Sequence, residues 1–151
     1  MGYTIDAWIE YDDTPERHPE RAGQPPFSVV TDNSISLEDF VSFRYSKDYR
    51  LFAVLAGIHR SGNGPGPLFP LRGGLPPNVS GHTVRRVSQL VDPDDPILSW
   101  LTYPEIEQAM AHMKVQVADL SLASNLMLDL MQSIEKRLGK GHSRLIFYIW
   151  Y

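Results

Sequence analysis

Six arginines punctuate the middle of this 151-residue chain, at Arg44, Arg50, Arg60, Arg72, Arg85 and Arg86. A guanidinium grips carboxylate or phosphate through a planar fork, so an Arg-rich block is a better anion-site candidate than a Lys-rich one. The side chains that would line such a site are Arg60, Arg72, Arg85 and Arg86, with His82 near the last pair and beside Ser80 and Thr83. Gly62, Gly64 and Gly66 have the look of a phosphate cradle. A dinucleotide fingerprint, however, needs a strand before it and a helix after it. Here a helical pattern precedes the glycines, Pro65 and Pro67 interrupt them, and no Gly-Lys-Ser/Thr follows. Backbone punctuation is the preferred reading.

Other chemistry is less well supplied. Asp92, Asp94 and Asp95 could offer oxygens to a hard cation, but the EF-hand's Gly and Glu positions are taken by Ile97 and Tyr103, and a turn explains the run more simply. The five histidines, at 18, 59, 82, 112 and 142, lack metal-site spacing. There is no His-Glu-x-x-His, no Gly-x-Ser-x-Gly elbow and no paired-carboxylate framework. No catalytic residue, metal ligand or cofactor is therefore assigned, and an enzyme is the weakest of the open readings. With no Cys, disulfide, thiolate and Cys-zinc chemistry are excluded.

The net charge of −4 hides a segregation. Residues 1–40 hold nine acids and two bases (−7), 41–91 one acid and seven bases (+6), 92–119 sum to −5 and 120–151 to +2. Two outcomes are open: the blocks neutralise one another in the folded chain, or one of them faces a partner. An overall acidic chain is poorly suited to direct nucleic-acid binding. No apolar run approaches the roughly 20 residues of a membrane helix, and the opening segment lacks a signal-peptide pattern, so a soluble cytoplasmic protein is expected.

The elements that must position these residues follow from periodicity. Tyr3, Ile5, Ala7, Ile9 and Tyr11 alternate with Thr4, Asp6, Trp8 and Glu10, which predicts a half-buried strand over 3–11. Residues 12–26 carry four prolines and no apolar period, and are expected to form a mobile loop. A short strand is predicted over 27–31, and a short helix after Ser36 through Leu37, Phe40 and Val41. Asp48 is the expected N-cap of a helix through Leu51, Phe52 and Leu55 that Gly57 ends. Residues 61–78, with five Gly and five Pro, form a long loop. Ser80 caps a helix whose inner face is read as Val84, Val87 and Val91. ILSWL follows the 92–96 break without an assigned element. Thr102 and Glu105 make a capping box for a helix carrying Ile106, Ala109, Met110 and Met113. A second stripe runs Leu120, Ala123, Leu126, Met127, Leu130, Met131, Ile134 and Leu138 to Gly139. Whether it continues the previous helix or follows a short strand at Met113, Val115 and Val117 is open. RLIFYIWY at 144–151 reads as a buried central strand. The whole predicts one α+β domain: a small, mostly antiparallel sheet including the N- and C-terminal strands, possible neighbours, with three to four helices on one face.

Several of these segments resemble a family of small uncharacterised proteins of tailed phages and prophages. The resemblance lies in YRLFAVLAGIHRSG (49–62), PLFPLRGGLPPNVS (67–80), SWLTYPEI (99–106) and the terminal aromatic strand, in matching order. In relatives a Gly-His-Ser-His-type run precedes Ser-Trp-Leu-Thr, where this chain has DPDDPIL; their aromatic-Asp-Asn ending is replaced by Ile149, Trp150 and Tyr151. The resemblance implies a phage-type setting and brings no activity. Together with the charge blocks it supports, first, a non-catalytic protein that binds a host factor, such as a nuclease-based defence system, and blocks or redirects it in an anti-CRISPR-like manner. Its partner-binding candidates are Asp12, Asp13, Glu16 and Glu20, with Trp8, Trp150 and Tyr151 as anchors if exposed. The second reading is a protein that sequesters a phosphorylated or nucleotide-like anion beneath the 61–78 loop.

Overall fold

A computed structural model describes residues 3–12, 27–29, 48–59, 62–92 and 94–150. In chain order these form β1 (Thr4–Asp12), β2 (Phe27–Val29), α1 (Tyr49–Ala56), α2 (Gly81–Leu90), β3 (Leu98–Thr102), α3 (Tyr103–Met113), a 3-10 turn (Val117–Asp119), α4 (Leu122–Leu138) and β4 (Ser143–Trp150). The sheet order is β2-β1-β4-β3, antiparallel throughout. The first and last strands are neighbours, from Thr4 opposite Trp150 to Tyr11 opposite Ser143. The fold is α+β, as the periodicities require. The predicted helix after Ser36 and most of the 12–26 loop lie outside the described residues.

β4 runs through the middle of the sheet because both of its faces are apolar. Leu145, Phe147 and Ile149 join Ile5, Ile9 and Leu101 on one face, beneath Leu51, Phe52 and Leu55 of α1, Ile106 and Met110 of α3, and Met127 and Met131 of α4. Ile146 joins Trp8 and Leu98 on the other, covered by Val87 of α2. Among the described residues, three helices thus share one face and a fourth lies opposite. This corrects the reading of β1 as half-buried: Trp8 (5% exposed) and Glu10 (0%) are buried on the α2 side.

The helix boundaries follow local chemistry. Asp48 accepts from the Leu51 N–H, and Gly57 ends α1 in the left-handed region at φ 70°. Ser80 and Ser121 cap α2 and α4, and Thr102 with Glu105 completes the capping box of α3. Lys114, at φ 56°, ends α3, so residues 103–138 are two helices, and Val117–Asp119 is a 3-10 turn rather than a strand.

Three sequence expectations need correction. ILSWL contains the edge strand β3, which a five-residue run abutting a capping box conceals. The inner face of α2 is Thr83 and Val87, with Val84 exposed, because the buried Glu10 beneath it draws the Thr83 hydroxyl inward. On α4 the buried positions are Ser124, Met127, Leu128 and Met131, while Leu126 faces outward.

Candidate functional site

Two members of the Arg-rich block, Arg72 and Arg50, are engaged within the fold. Arg72 donates from both terminal nitrogens to the Glu105 carboxylate, and its guanidinium lies 4.0 Å from the centre of the Trp100 ring. That stack contributes cation–π attraction as well as charge. Burial alone would raise the Glu105 pKa, but the hydrogen bonds from Arg72 and Thr102 outweigh it and hold the carboxyl below its usual range. Arg50 pairs similarly with Asp119, at 3.5 Å. Thus two members of the +6 block meet the −5 block. Arg85 and Arg86 lie on the exposed side of α2, with His82 partly exposed nearby, and Arg60 is outside the described residues.

The described part of the glycine–proline loop is held down by contacts from other elements. The His59 ring meets the Pro65 carbonyl and the His112 ring the Gly66 carbonyl, each at 3.1 Å. Gly64 packs against the His59 ring, where a Cβ would collide with it. Further on, the Arg72 N–H donates to Ser99 Oγ and the Gly74 N–H to the Leu98 carbonyl, so the loop covers the outer edge of β3. Asp92 and Asp95 accept from the backbone N–H groups of Asp94 and Ile97, the turn chemistry expected of that run.

A second polar cluster lies beneath α2. Glu10 receives Arg144 Nη2 at 3.0 Å, the Thr83 hydroxyl at 3.1 Å and the Ser80 N–H at 3.3 Å. Arg144 also donates to the Pro77 carbonyl at 2.9 Å. Burial lowers the Arg144 pKa, opposed by the adjacent Glu10 carboxylate. These contacts fasten the end of the loop and the start of α2 to β1 and β4, a structural role.

Of the partner-binding candidates, Asp12 ends β1, where its carbonyl meets the His142 ring at 3.1 Å. Trp8 is buried and cannot be a surface anchor, because α2 covers its side of the sheet. Asp13, Glu16, Glu20 and Tyr151 lie outside the described residues, as does the side chain of Trp150.

The feature that sequence reasoning missed is a groove between α3 and α4 of about 440 Å³. Ile106, Met110 and Leu128 supply apolar lining; Tyr103, Glu107, Asp129, Gln116 and Gln132 add polar groups; and no basic side chain lines it. Tyr103, Glu107 and Ala111 follow i, i+4, i+8 spacing along α3, so they present one ridge to the groove. Burial, then the charges of Glu107, Glu135 and Asp129, push the Tyr103 phenol above its ordinary pKa. The phenol is accordingly a neutral donor at pH 7. Along α4, Leu122, Leu126 and Asp129 share a stripe at i, i+4, i+7, with Leu122 75% exposed and Val117 51% exposed nearby in sequence. The only hint in the sequence was an acid at 129 interrupting a Leu/Met-rich helix; that it faces Glu107 depends on how two helices pair.

No family model, curated protein or solved structure matches the chain.

Proposed function

We propose that this chain is a non-catalytic interaction protein of phage type that binds a host protein with a basic surface and blocks or redirects it, with the α3–α4 face as the docking surface. The observation that carries the reading is a groove lined by exposed Val117, Glu107 and Asp129 and by no base, with exposed Leu122 and Leu126 on the same helical stripe of α4 as Asp129. Contiguous exposed apolar side chains mark interaction sites, and acidic groups around them select a basic partner and speed encounter. Basic surfaces are the hallmark of nucleic-acid-binding proteins, which is the chemistry a nuclease-based defence system would present. The resemblance to small tailed-phage proteins supports a partner in the host cytoplasm. The anion-binding reading has less support, since Arg72 is engaged by Glu105.

The test is capture from bacterial lysate on the immobilised full chain, followed by reconstitution with the purified partner. The expected partner is basic, elutes as salt is raised, and is lost with Leu122→Asp. Charge reversal at Glu16 and Glu20 shows whether the N-terminal acidic block adds to the interaction. Failure to reconstitute any specific complex, or a complex indifferent to salt and to Leu122→Asp, overturns the proposal.

A further inference from the structure

We propose that the α3–α4 groove recognises an arginine side chain flanked by apolar residues on a protein segment. The inference rests on the interaction reading above for the occupant being a protein, and on the groove itself for the chemistry.

Ile106, Met110 and Leu128 provide an apolar surface, which an occupant must cover with hydrocarbon. The polar groups are all acceptors or neutral: the carboxylates of Glu107 on α3 and Asp129 on α4, the amides of Gln116 and Gln132, and the Tyr103 phenol. An anionic occupant would meet two carboxylates with no counter-charge, and a purely apolar one would strip water from both without replacing it. An arginine satisfies both demands. Its methylene stem lies along apolar surface while its head stays polar, and its planar, weakly hydrated fork has donors enough to serve carboxylates from two helices at once. A lysine ammonium is a more strongly hydrated point charge and lacks the planar fork of donors. The volume of about 440 Å³ leaves room for more than one side chain, hence the flanking apolar residues.

The experiment is a titration of the isotopically labelled full chain, followed by amide NMR, with the capped peptide Gly-Ser-Leu-Arg-Leu-Ser-Gly and its counterpart bearing neutral citrulline in place of Arg. The expected result is saturable shifts clustered on Tyr103, Glu107, Met110, Asp129 and Gln132, with binding about tenfold weaker for citrulline. The double variant Glu107→Gln/Asp129→Asn should lose the preference for Arg. Both positions are exposed, and an unchanged spectrum elsewhere verifies the fold. Equal binding of the two peptides, shifts centred on α2 or the 62–78 loop, or an undiminished Arg preference in the double variant would overturn the inference. N-acetyl-argininamide binding as tightly as the peptide would overturn the protein-segment assignment in favour of a small cation. A concentration-dependent dimer abolished by the same double variant would overturn it in favour of a second copy. Failure of the interaction reading looks different: the peptide binds as expected while no host complex can be reconstituted. Conversely, a complex that depends on Leu122 but ignores Glu107, Asp129 and citrulline retains that reading and removes this inference.

Discussion

At the scale of single residues, the decisive group is Glu10, a carboxylate with no solvent exposure in a strand otherwise suited to apolar burial. Its charge is tolerable because Arg144, 3% exposed, supplies the counter-ion while Ser80 and Thr83 donate to the same oxygens. Such a pair need not stabilise the fold relative to an apolar pair of equal volume, yet removing one member leaves the other buried and uncompensated. Glu10→Gln should therefore lower unfolding free energy by about 3–5 kcal/mol in urea denaturation. Adding Arg144→Met should recover a substantial part of that loss. A cost of Glu10→Gln below about 1 kcal/mol, the scale of an exposed pair, would mean the site is wetter than its burial indicates. None of this was legible beforehand: the alternation of β1 marked Glu10 as outward, and only the packing of α2 reveals that outward is a second interior.

Among the elements, the 62–78 loop illustrates how a segment with no periodicity becomes ordered. Its own composition offers few side chains to bury, so anchors come from elsewhere in the chain: His59, His112, Glu105, Ser99 and Arg144. Arg72 is the central anchor, joining the loop to the start of α3 through Glu105 and to β3 through Trp100. Arg72→Ala should speed proteolytic cleavage within the loop severalfold while leaving the global melt lowered by only about 1–2 kcal/mol, since local opening and global unfolding are separate events. Cleavage sites elsewhere, or unchanged kinetics, would refute that role. The sequence marked where α1, α2 and α3 start, because Asp48, Ser80 and Thr102 cap through contacts within three residues; the start of α4 at its Ser121 cap stayed open. It could not mark which face of α2 or α4 turns inward, because that is decided by what the sheet presents to them. The same limit hid the groove, whose two ridges belong to helices that are individually ordinary.

For the molecule as a whole, two carboxylates couple segments far apart in the chain, and both titrate below their usual range. Asp48 caps α1 through the Leu51 N–H and, with its other oxygen, accepts the Ser121 N–H and the Ser124 hydroxyl at the start of α4, each at 2.8 Å. Burial would raise its pKa, but those donors prevail and lower it. Glu105 does the same for the loop and α3. A carboxyl whose folded pKa lies below its unfolded value adds stability above the unfolded value, near pH 4, and surrenders it as pH falls through the folded value. Both protonations act in the same window and release contacts between different elements, α1 from α4 and the loop from α3. Thermal melts should therefore show a plateau from about pH 5 to neutrality and a fall from about pH 4 downward. The double variant Asp48→Asn/Glu105→Gln should be less stable than the parent at pH 7, with a shallower acid limb, so that the two curves converge at low pH. Parallel curves would place the acid sensitivity in other carboxylates. The charge blocks that the net −4 concealed gain their meaning here: Arg72 with Glu105 and Arg50 with Asp119 join the basic middle to the acidic third block, and Glu10 with Arg144 joins the first block to the last. Among the described residues, these three pairs spend part of that segregation on holding the fold together. Glu107 and Asp129, by contrast, line a groove with no basic side chain in its lining.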